Sequence, residues 1–183
     1  WLAIVFALRH PAAVRALLLW RVTGGLQACE KLAAYYYGDY IDAAKAGGMA
    51  AVCETEHFAE RIRDNPANGE ALMAMDPERF IAVMSHWSDY FLEGADLPVI
   101  GATEADLRSI RVPACVVPGN DHRHPRETGR NAQRLIPEGE LHELMKEDLD
   151  VDLGPVEDWQ AIEDEMAMTF TGFLERAGAP GEK

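Results

Sequence analysis

The stretch Ile110-Arg-Val-Pro-Ala-Cys-Val-Val-Pro-Gly-Asn-Asp121 joins an apolar segment to a polar turn. Its apolar residues lack the alternation of a half-exposed strand, and this pattern predicts a short strand buried on both faces of a parallel sheet. The turn continues through His122-Arg-His-Pro125, and residues 128–135 after it are predicted to be helical. A strand that leads at once into a helix indicates an α/β fold.

Two further segments with strand character lie on either side of this stretch. Val14–Trp20 is a second continuous apolar run, and Glu140–Met145 is a weaker candidate for the last strand. Helices are predicted before and after them, over residues 1–10 and over Trp159–Leu174. Such alternation of strands and helices predicts a parallel sheet with right-handed crossovers. Because a three-stranded sheet has an exposed edge, we expect that edge to need a partner.

Residues 26–101 interrupt the alternation with an all-helical block. Apolar residues recur there at helical spacing, and Gly47-Gly48, Asn65-Pro66 and Asp76-Pro77 separate the helices. The predicted boundaries are 1–25 and 102–178 for a sheet-containing core, 26–101 for the helical block and 179–183 for a flexible tail.

The composition and net charge of the chain indicate which classes of partner molecule to expect. The 183 residues are 48% hydrophobic, which indicates a globular protein, and their formal net charge is −14 at pH 7. Because so acidic a protein repels phosphate backbones and anionic lipids, we expect neither nucleic acid nor a membrane as a partner. Cys29, Cys53 and Cys115 show no paired or zinc-binding spacing, so we predict reduced thiols, a cytoplasmic location and no structural metal.

Several segments, taken in order, resemble the α/β-hydrolase family over nearly the whole chain. Ala7–Leu19 is similar to the stretch after that family's nucleophile elbow, and residues 26–101 stand where its members insert a helical cap. Ile110–Asp121 looks like the penultimate strand with the turn that bears the triad acid, and Pro125 follows at a spacing common in the family. Ala132–Leu141 is similar to the next helix and the last strand. The resemblance implies part of a parallel-sheet α/β-hydrolase core with an inserted all-helical cap.

Asp121 is the candidate acid of a catalytic triad. The resemblance implies this role, and a carboxylate at the carboxyl end of a parallel strand lies on the rim where such sheets bind ligands. There it can orient a histidine and stabilise the imidazolium that forms in acyl transfer. A plain polar turn at Asn120-Asp121 is the alternative.

The nucleophile of the family is not found in this sequence. Ser85, Ser88 and Ser109 do not stand in the strand-to-helix elbow pattern that the family uses. The chain opens at Trp1 with an apolar stretch that reads as the end of a helix. We therefore expect a fragment, whose nucleophile and remaining strands belong to a missing N-terminal half of the same protein.

The histidine of a triad is also not where the family places it, because residues 146–159 contain none. His124 is the candidate catalytic base and His122 a candidate substrate contact, since both lie close to Asp121. The short separation from Asp121 is awkward for a ring that this carboxylate must hold, so a role for His124 in helix capping or substrate contact stays open. His142 is expected to be structural.

Three more residues are candidates for substrate binding. Trp20 and Arg21 end a predicted strand on the active-site edge, where the guanidinium could hold a substrate carboxylate through its fork of donors. Ordinary packing explains Trp20 equally well. Trp87 belongs to an aromatic face of the helical block, and such a face is more often core than a ligand cage.

Two functions remain open from the sequence. The first is hydrolysis of a small ester, amide or C–C bond, with a small-molecule substrate and no cofactor. The second is an inactive hydrolase-like fold that binds a ligand or serves as a scaffold, which the missing histidine favours. The substrate, and whether the protein forms a homo-oligomer, are not predicted.

Overall fold

A computed structural model describes residues 1–178 of the chain; the predicted flexible tail at 179–183 lies outside the described residues. These described residues are mixed α/β, and 62% of them are helical. The chain divides into two compact units. Residues 1–29 together with the part from Gly94 onward form the sheet unit, and Glu30–Glu93 form the helical unit.

The sheet unit contains three parallel strands in the order β1-β2-β3. These are β1 (Leu17–Trp20), β2 (Ala114–Val117) and β3 (Gly139–Leu141). Leu17 pairs with Ala114, and Ala114 pairs on its other side with Gly139. The prediction of a parallel sheet is therefore confirmed. The central strand β2 is buried along its whole length, as its unbroken apolar sequence predicts.

Helices surround the three strands along the chain. The helices outside the helical unit are α1 (Leu2–Arg9), α7 (Glu104–Ser109), α8 (Arg126–Leu135), α9 (Val156–Gln160) and α10 (Glu163–Gly178), and α2 (Leu26–Ala33) crosses the boundary between the units. A short 3₁₀ turn at Pro11–Ala13 precedes β1. The core of the sheet unit packs Ile4 of α1 and Leu107 of α7 with Val116 of β2. Burial of these side chains is the main force that holds the unit together.

The first strand was predicted to start too early and the last strand to end too late. The turn at Pro11–Ala13 delays the first strand to Leu17, and β3 ends at Leu141 instead of reaching Met145. The prediction that the first strand is buried on both faces was also wrong. Leu18 and Trp20 are 38% and 45% exposed, because side chains alternate along the strand and only the face of Leu17 and Leu19 packs into the core.

Two helix predictions also need correction. The helical spacing of Leu2 and Phe6 predicts a buried opening helix, but these two residues are 67% and 51% exposed, and the helix buries Ile4 instead. The closing helix is divided at Ala161-Ile162 into α9 and α10. The strongly acidic sequence that begins at Glu163 suits the first turn of a separate helix, since carboxylates interact favourably with a helix N-terminus.

The helical unit contains no strand among its residues 30–93. Beyond α2 it consists of α3 (Asp39–Glu54), α4 (Glu56–Asp64), α5 (Ala67–Met73) and α6 (Pro77–Glu93), with a π-helical turn at Ala34–Gly38. The predicted break at Gly47-Gly48 is a kink within α3, where Gly48 has a φ of 65°. Val52 and Leu72 are buried in the core of this unit. The prediction of an all-helical block is confirmed for these residues.

A capping box fixes the start of α7. The Thr103 hydroxyl accepts from the Asp106 amide, and the Asp106 carboxylate accepts from the Thr103 amide. Thr103→Ala is expected to cost about 1 kcal/mol of unfolding free energy, because it removes the side-chain acceptor. Urea denaturation measures this loss. Thr169→Ala is the matched control, because the Thr169 hydroxyl donates to the Glu165 carbonyl inside α10 and caps no helix. An equal loss of unfolding free energy in Thr169→Ala would contradict the role of the cap.

No helix among residues 1–178 is both long and apolar enough to cross a bilayer.

Candidate functional site

The carboxyl ends of β1 and β2 bring the site residues together. Trp20 and Val117 are paired in the sheet, and the Arg21 amide donates to the Val117 carbonyl at 3.0 Å. Arg21 therefore stands beside the segment that leaves β2 toward Asp121. The carboxyl ends of neighbouring parallel strands lie at the same edge of the sheet, so Arg21 and Asp121, which are 100 positions apart in sequence, meet here.

Asp121 is the centre of the site, and its side chain is fully buried. One oxygen, Oδ1, accepts from the His124 amide at 2.8 Å and lies 2.9 Å from His124 Nδ1. The other, Oδ2, accepts from Arg21 Nη2 at 2.6 Å and from the Gly154 amide at 3.0 Å. Burial by itself would raise the pKa of Asp121. The hydrogen bonds from His124 and Gly154 and the charge of Arg21 outweigh burial and hold that pKa well below its usual range.

His124 is held by Asp121 although only three positions separate them, so the expectation that the spacing is too short was wrong. The chain folds back on itself after β2, and the His124 amide also donates to the Asp121 carbonyl at 3.2 Å. Gly119 permits this return, because a Cβ there would overlap the carbonyl oxygen and Cβ of His124. The imidazole is 19% exposed. Within residues 1–178, Nε2 has no hydrogen-bond partner.

Arg21 closes the site from β1. Its backbone has a φ of 53°, the left-handed conformation that non-glycine residues seldom adopt. The guanidinium carbon lies 5.8 Å from the centre of the Trp20 ring and 5.2 Å from that of Trp159. These are cation–π distances, so the two rings help to fix the guanidinium. The sequence predicted that Arg21 would hold a substrate carboxylate; the carboxylate that it binds here is Asp121.

Residues 147–154 form an acidic loop that covers the turn after β2. The amides of His122 and Leu149 donate to the carbonyls of Val151 and Asn120 at 3.0 and 2.7 Å, which fastens the two segments to each other. The His122 ring lies between two carboxylates of this loop, with Nε2 3.0 Å from Asp150 Oδ1 and Nδ1 3.3 Å from Asp152 Oδ1. The His122 ring is thus held by carboxylates of the acidic loop and not by the Asp121 carboxylate.

Arg126 anchors the acidic loop at the start of α8. Its Nε donates to Asp148 at 2.7 Å and its Nη1 to the Met145 carbonyl at 2.6 Å. Next to it lies an open cavity of about 360 Å³, which is within the size range of small-molecule sites. Its walls come from α2, from the turn after β2, from the first turns of α8 and from the acidic loop. The lining residues include Gln27, Asn120, Asp121, His122, Arg126 and Leu149.

The two other predicted substrate-binding residues, Trp20 and Trp87, do not line this cavity. Trp20 packs edge-on against Trp159, with ring centres 5.3 Å apart. Trp87 belongs to α6 of the helical unit, where its ring contacts His86 and Tyr90. His142 follows β3, and its amide donates to the Val116 carbonyl at 2.9 Å, which fits the structural role expected of it.

The sheet unit offers no activated nucleophile among its described serines and cysteines. Cys115 is buried in β2, and burial raises the pKa of its thiol to about 11, so the thiolate is scarce at neutral pH. Cys29 is fully buried in α2. Ser109 ends α7 before β2 begins, whereas Asp121 follows the opposite end of that strand.

Sequence reasoning missed two residues of the site. Gly154 supplies a backbone donor to Asp121, and Trp159 supplies a ring to Arg21. Gly154 precedes Pro155 at the end of the acidic loop, and this Gly-Pro pair was the available signal for a tight turn there. Trp159 had no comparable signal, since an apolar face of an amphipathic helix explains an aromatic residue equally well.

Comparisons with protein-family models, with curated proteins and with solved structures find no match to this chain. Residues 1–178 contain no group of three or more His, Cys, Asp or Glu side chains that could hold a metal ion. What can be argued about the chemistry of the site therefore comes from its own geometry.

Proposed function

We propose that the protein is a hydrolase of the α/β-hydrolase type, in which Asp121 orients His124 as the general base. The observation that carries this proposal is the contact of 2.9 Å between the buried Asp121 carboxylate and His124 Nδ1. A carboxylate behind one ring nitrogen orients the imidazole and supports the positive charge that develops on it. The other nitrogen, Nε2, is then left to exchange a proton with a reacting group.

The position of the pair supports the proposal. It lies at the carboxyl end of parallel strands, where open α/β sheets bind their ligands. A cavity of about 360 Å³ lies next to the pair; Asp121 and Pro125, the residue after His124, are among its lining residues, although His124 itself is not, and it is large enough for a small ester or amide. The order of the strands and helices agrees with the resemblance to the α/β-hydrolase family.

The proposed chemistry uses His124 twice. Nε2 first takes the proton of a hydroxyl or water nucleophile as this attacks the carbonyl carbon of a small ester, amide or β-dicarbonyl substrate. The same proton then passes from Nε2 to the leaving group, which restores the neutral ring. A water nucleophile gives the acid directly; a hydroxyl nucleophile keeps the acyl group, which a water activated by Nε2 in the same way then releases as the acid while the hydroxyl regains its proton. Asp121 stays ionised throughout, because its lowered pKa keeps it an acceptor of hydrogen bonds. No step requires a cofactor.

His124→Gln is expected to reduce hydrolysis about 100-fold. Glutamine keeps the polarity of the site but cannot accept and return a proton, and general-base catalysis contributes at least this factor. The measurement is kcat/KM on a panel of p-nitrophenyl esters of short acids. His142→Gln is the matched control, since that ring is 31% exposed and bonds to Glu140 on β3. Equal losses in both variants, or a wild-type protein that hydrolyses none of the esters, would contradict the proposal.

A second candidate function is ligand binding without hydrolysis. It is favoured by the contact of 2.6 Å between Arg21 and Asp121, because the guanidinium neutralises the carboxylate that should stabilise a charged His124. In that case the wild-type protein would turn over no ester, while small molecules would still raise its melting temperature through the cavity next to Asp121.

A further inference from the structure

Arg21 Nη2 lies within hydrogen-bond distance of both members of the Asp121–His124 pair. It is 2.6 Å from Asp121 Oδ2 and 3.0 Å from His124 Nδ1. His124 Nδ1 is in turn 2.9 Å from Asp121 Oδ1. The three side chains therefore form a closed triangle, in which a single ring nitrogen faces a cation on one side and an anion on the other.

The two contacts of His124 Nδ1 exclude each other chemically. A carboxylate can only accept a hydrogen bond, whereas a guanidinium can only donate one. A neutral imidazole carries one proton. If this proton is on Nδ1, the ring donates to Asp121 and Nε2 has a free lone pair. If it is on Nε2, the ring accepts from Arg21 at Nδ1, and no basic nitrogen faces the outside.

We propose that Arg21 is a positioning residue that determines which nitrogen of His124 carries the proton. By donating to Nδ1, Arg21 favours the tautomer of His124 that is protonated on Nε2. Asp121 accepts from Nδ1 and therefore favours the other tautomer, which is protonated on Nδ1. Arg21 thus restrains the base at rest, and weakening its hydrogen bond to His124 releases Nε2 for proton transfer. The catalytic consequence rests on the proposed function, whereas the effect on the proton position does not.

The surroundings of Arg21 suit a fixed and permanent donor. The guanidinium side chain is only 17% exposed and lies close to the Trp20 and Trp159 rings. An arginine stays charged at every pH at which a protein is folded, so it never becomes an acceptor. The left-handed backbone at Arg21, with φ at 53°, aims this side chain across the strand end toward Asp121. Such strain is retained where the surrounding structure holds a functional geometry.

Nitrogen NMR of the His124 ring tests the proposal directly, because the ¹⁵N shifts of Nδ1 and Nε2 report which one is protonated. The wild-type protein at neutral pH is expected to have most of the ring protonated on Nε2. Arg21→Met should shift the ratio of the two forms at least about tenfold toward Nδ1, since it removes a charge-assisted donor. Asp121→Asn should shift the ratio in the opposite direction.

The control is Arg130→Met. The Arg130 guanidinium binds Glu143 on the surface, so its removal should leave the tautomer ratio of His124 unchanged. A wild-type ring protonated mostly on Nδ1, or an Arg21→Met ring with the wild-type ratio, overturns the proposal. If Arg21→Met does not give a folded protein by circular dichroism, Arg21→Gln replaces it, because its shorter amide also lacks the charge.

Ester hydrolysis separates this proposal from the proposed function. Arg21→Met is expected to raise kcat about fivefold with little change in KM, as a larger share of His124 is then in the basic form. If no variant hydrolyses any ester while the NMR ratios move as expected, the hydrolase function fails and the role of Arg21 stands. If hydrolysis depends on His124 but the tautomer ratios do not respond to Arg21, the hydrolase function stands and the proposed role of Arg21 fails.

Discussion

Asp121→Ala is expected to lower the free energy of unfolding of the sheet unit by about 3–5 kcal/mol at pH 7. The substitution leaves the Arg21 charge, 17% exposed, without its anion and removes the acceptor of the His124 and Gly154 amides. Breaking a buried ion pair from one side costs about this much, because the remaining charge stays poorly solvated. Urea denaturation followed by tryptophan fluorescence measures the loss, since Trp20 and Trp159 flank Arg21.

The pH dependence of this loss provides the sharper test. The pKa of Asp121 is lower in the folded protein than in the unfolded chain, so the ionised carboxylate stabilises the fold above about pH 4. That contribution disappears as the pH falls from about 4 toward the lowered pKa. The difference in stability between wild type and Asp121→Ala should therefore be nearly constant between pH 7 and about pH 5 and shrink as the pH falls below about 4.

Asp96→Ala is the matched control for both measurements, because Asp96 is an exposed carboxylate of the same unit. Its effect is expected to stay within about 0.5 kcal/mol at any pH. A loss of that small size for Asp121→Ala, or a difference from wild type that grows on acidification, would show that the carboxylate is not stabilised by the contacts described above.

The sheet could be predicted from sequence mainly because its central strand carries an unbroken apolar pattern. β2 lies within Ile110–Gly119, and its four residues are all buried. The edge strand β1 was less predictable. Leu17-Leu-Leu-Trp20 reads as buried on both faces, yet whether Leu18 and Trp20 are covered depends on which elements lie against them, and no local pattern records that.

The site was predictable in part for the same reason. Asp121 and Arg21 could be placed at one edge, since both follow predicted parallel strands. That they bind each other could not be foreseen, because the left-handed backbone at Arg21 decides the direction of its side chain and arginine is an unusual residue for that conformation. His124 was the predicted base although its short separation from Asp121 is awkward, and the tight return of the chain at Gly119 is what brings its ring back to Asp121.

Gly119→Ala is expected to be as damaging as the loss of Asp121 itself. The new Cβ would overlap the carbonyl oxygen and Cβ of His124, and Gly119 is buried between β2 and α8, so the turn must open to make room. We expect a loss of about 3 kcal/mol in unfolding free energy, at the upper end of the usual cost of overpacking. Because the opening moves His124 away from Asp121, hydrolysis should fall at least as far as in His124→Gln.

Gly172→Ala is the control that separates the clash from the general effect of replacing a glycine. In α10 a Cβ at residue 172 would meet only Arg176 Nη1 at 3.7 Å, so alanine should raise stability by about 0.5–1 kcal/mol through its better helix propensity. For Gly119→Ala, the His124 ¹⁵N signals report whether the contact with Asp121 survives. A stable variant with an unchanged His124 spectrum would mean that the turn tolerates a side chain, and that the short return of the chain at Gly119 does not hold the pair together.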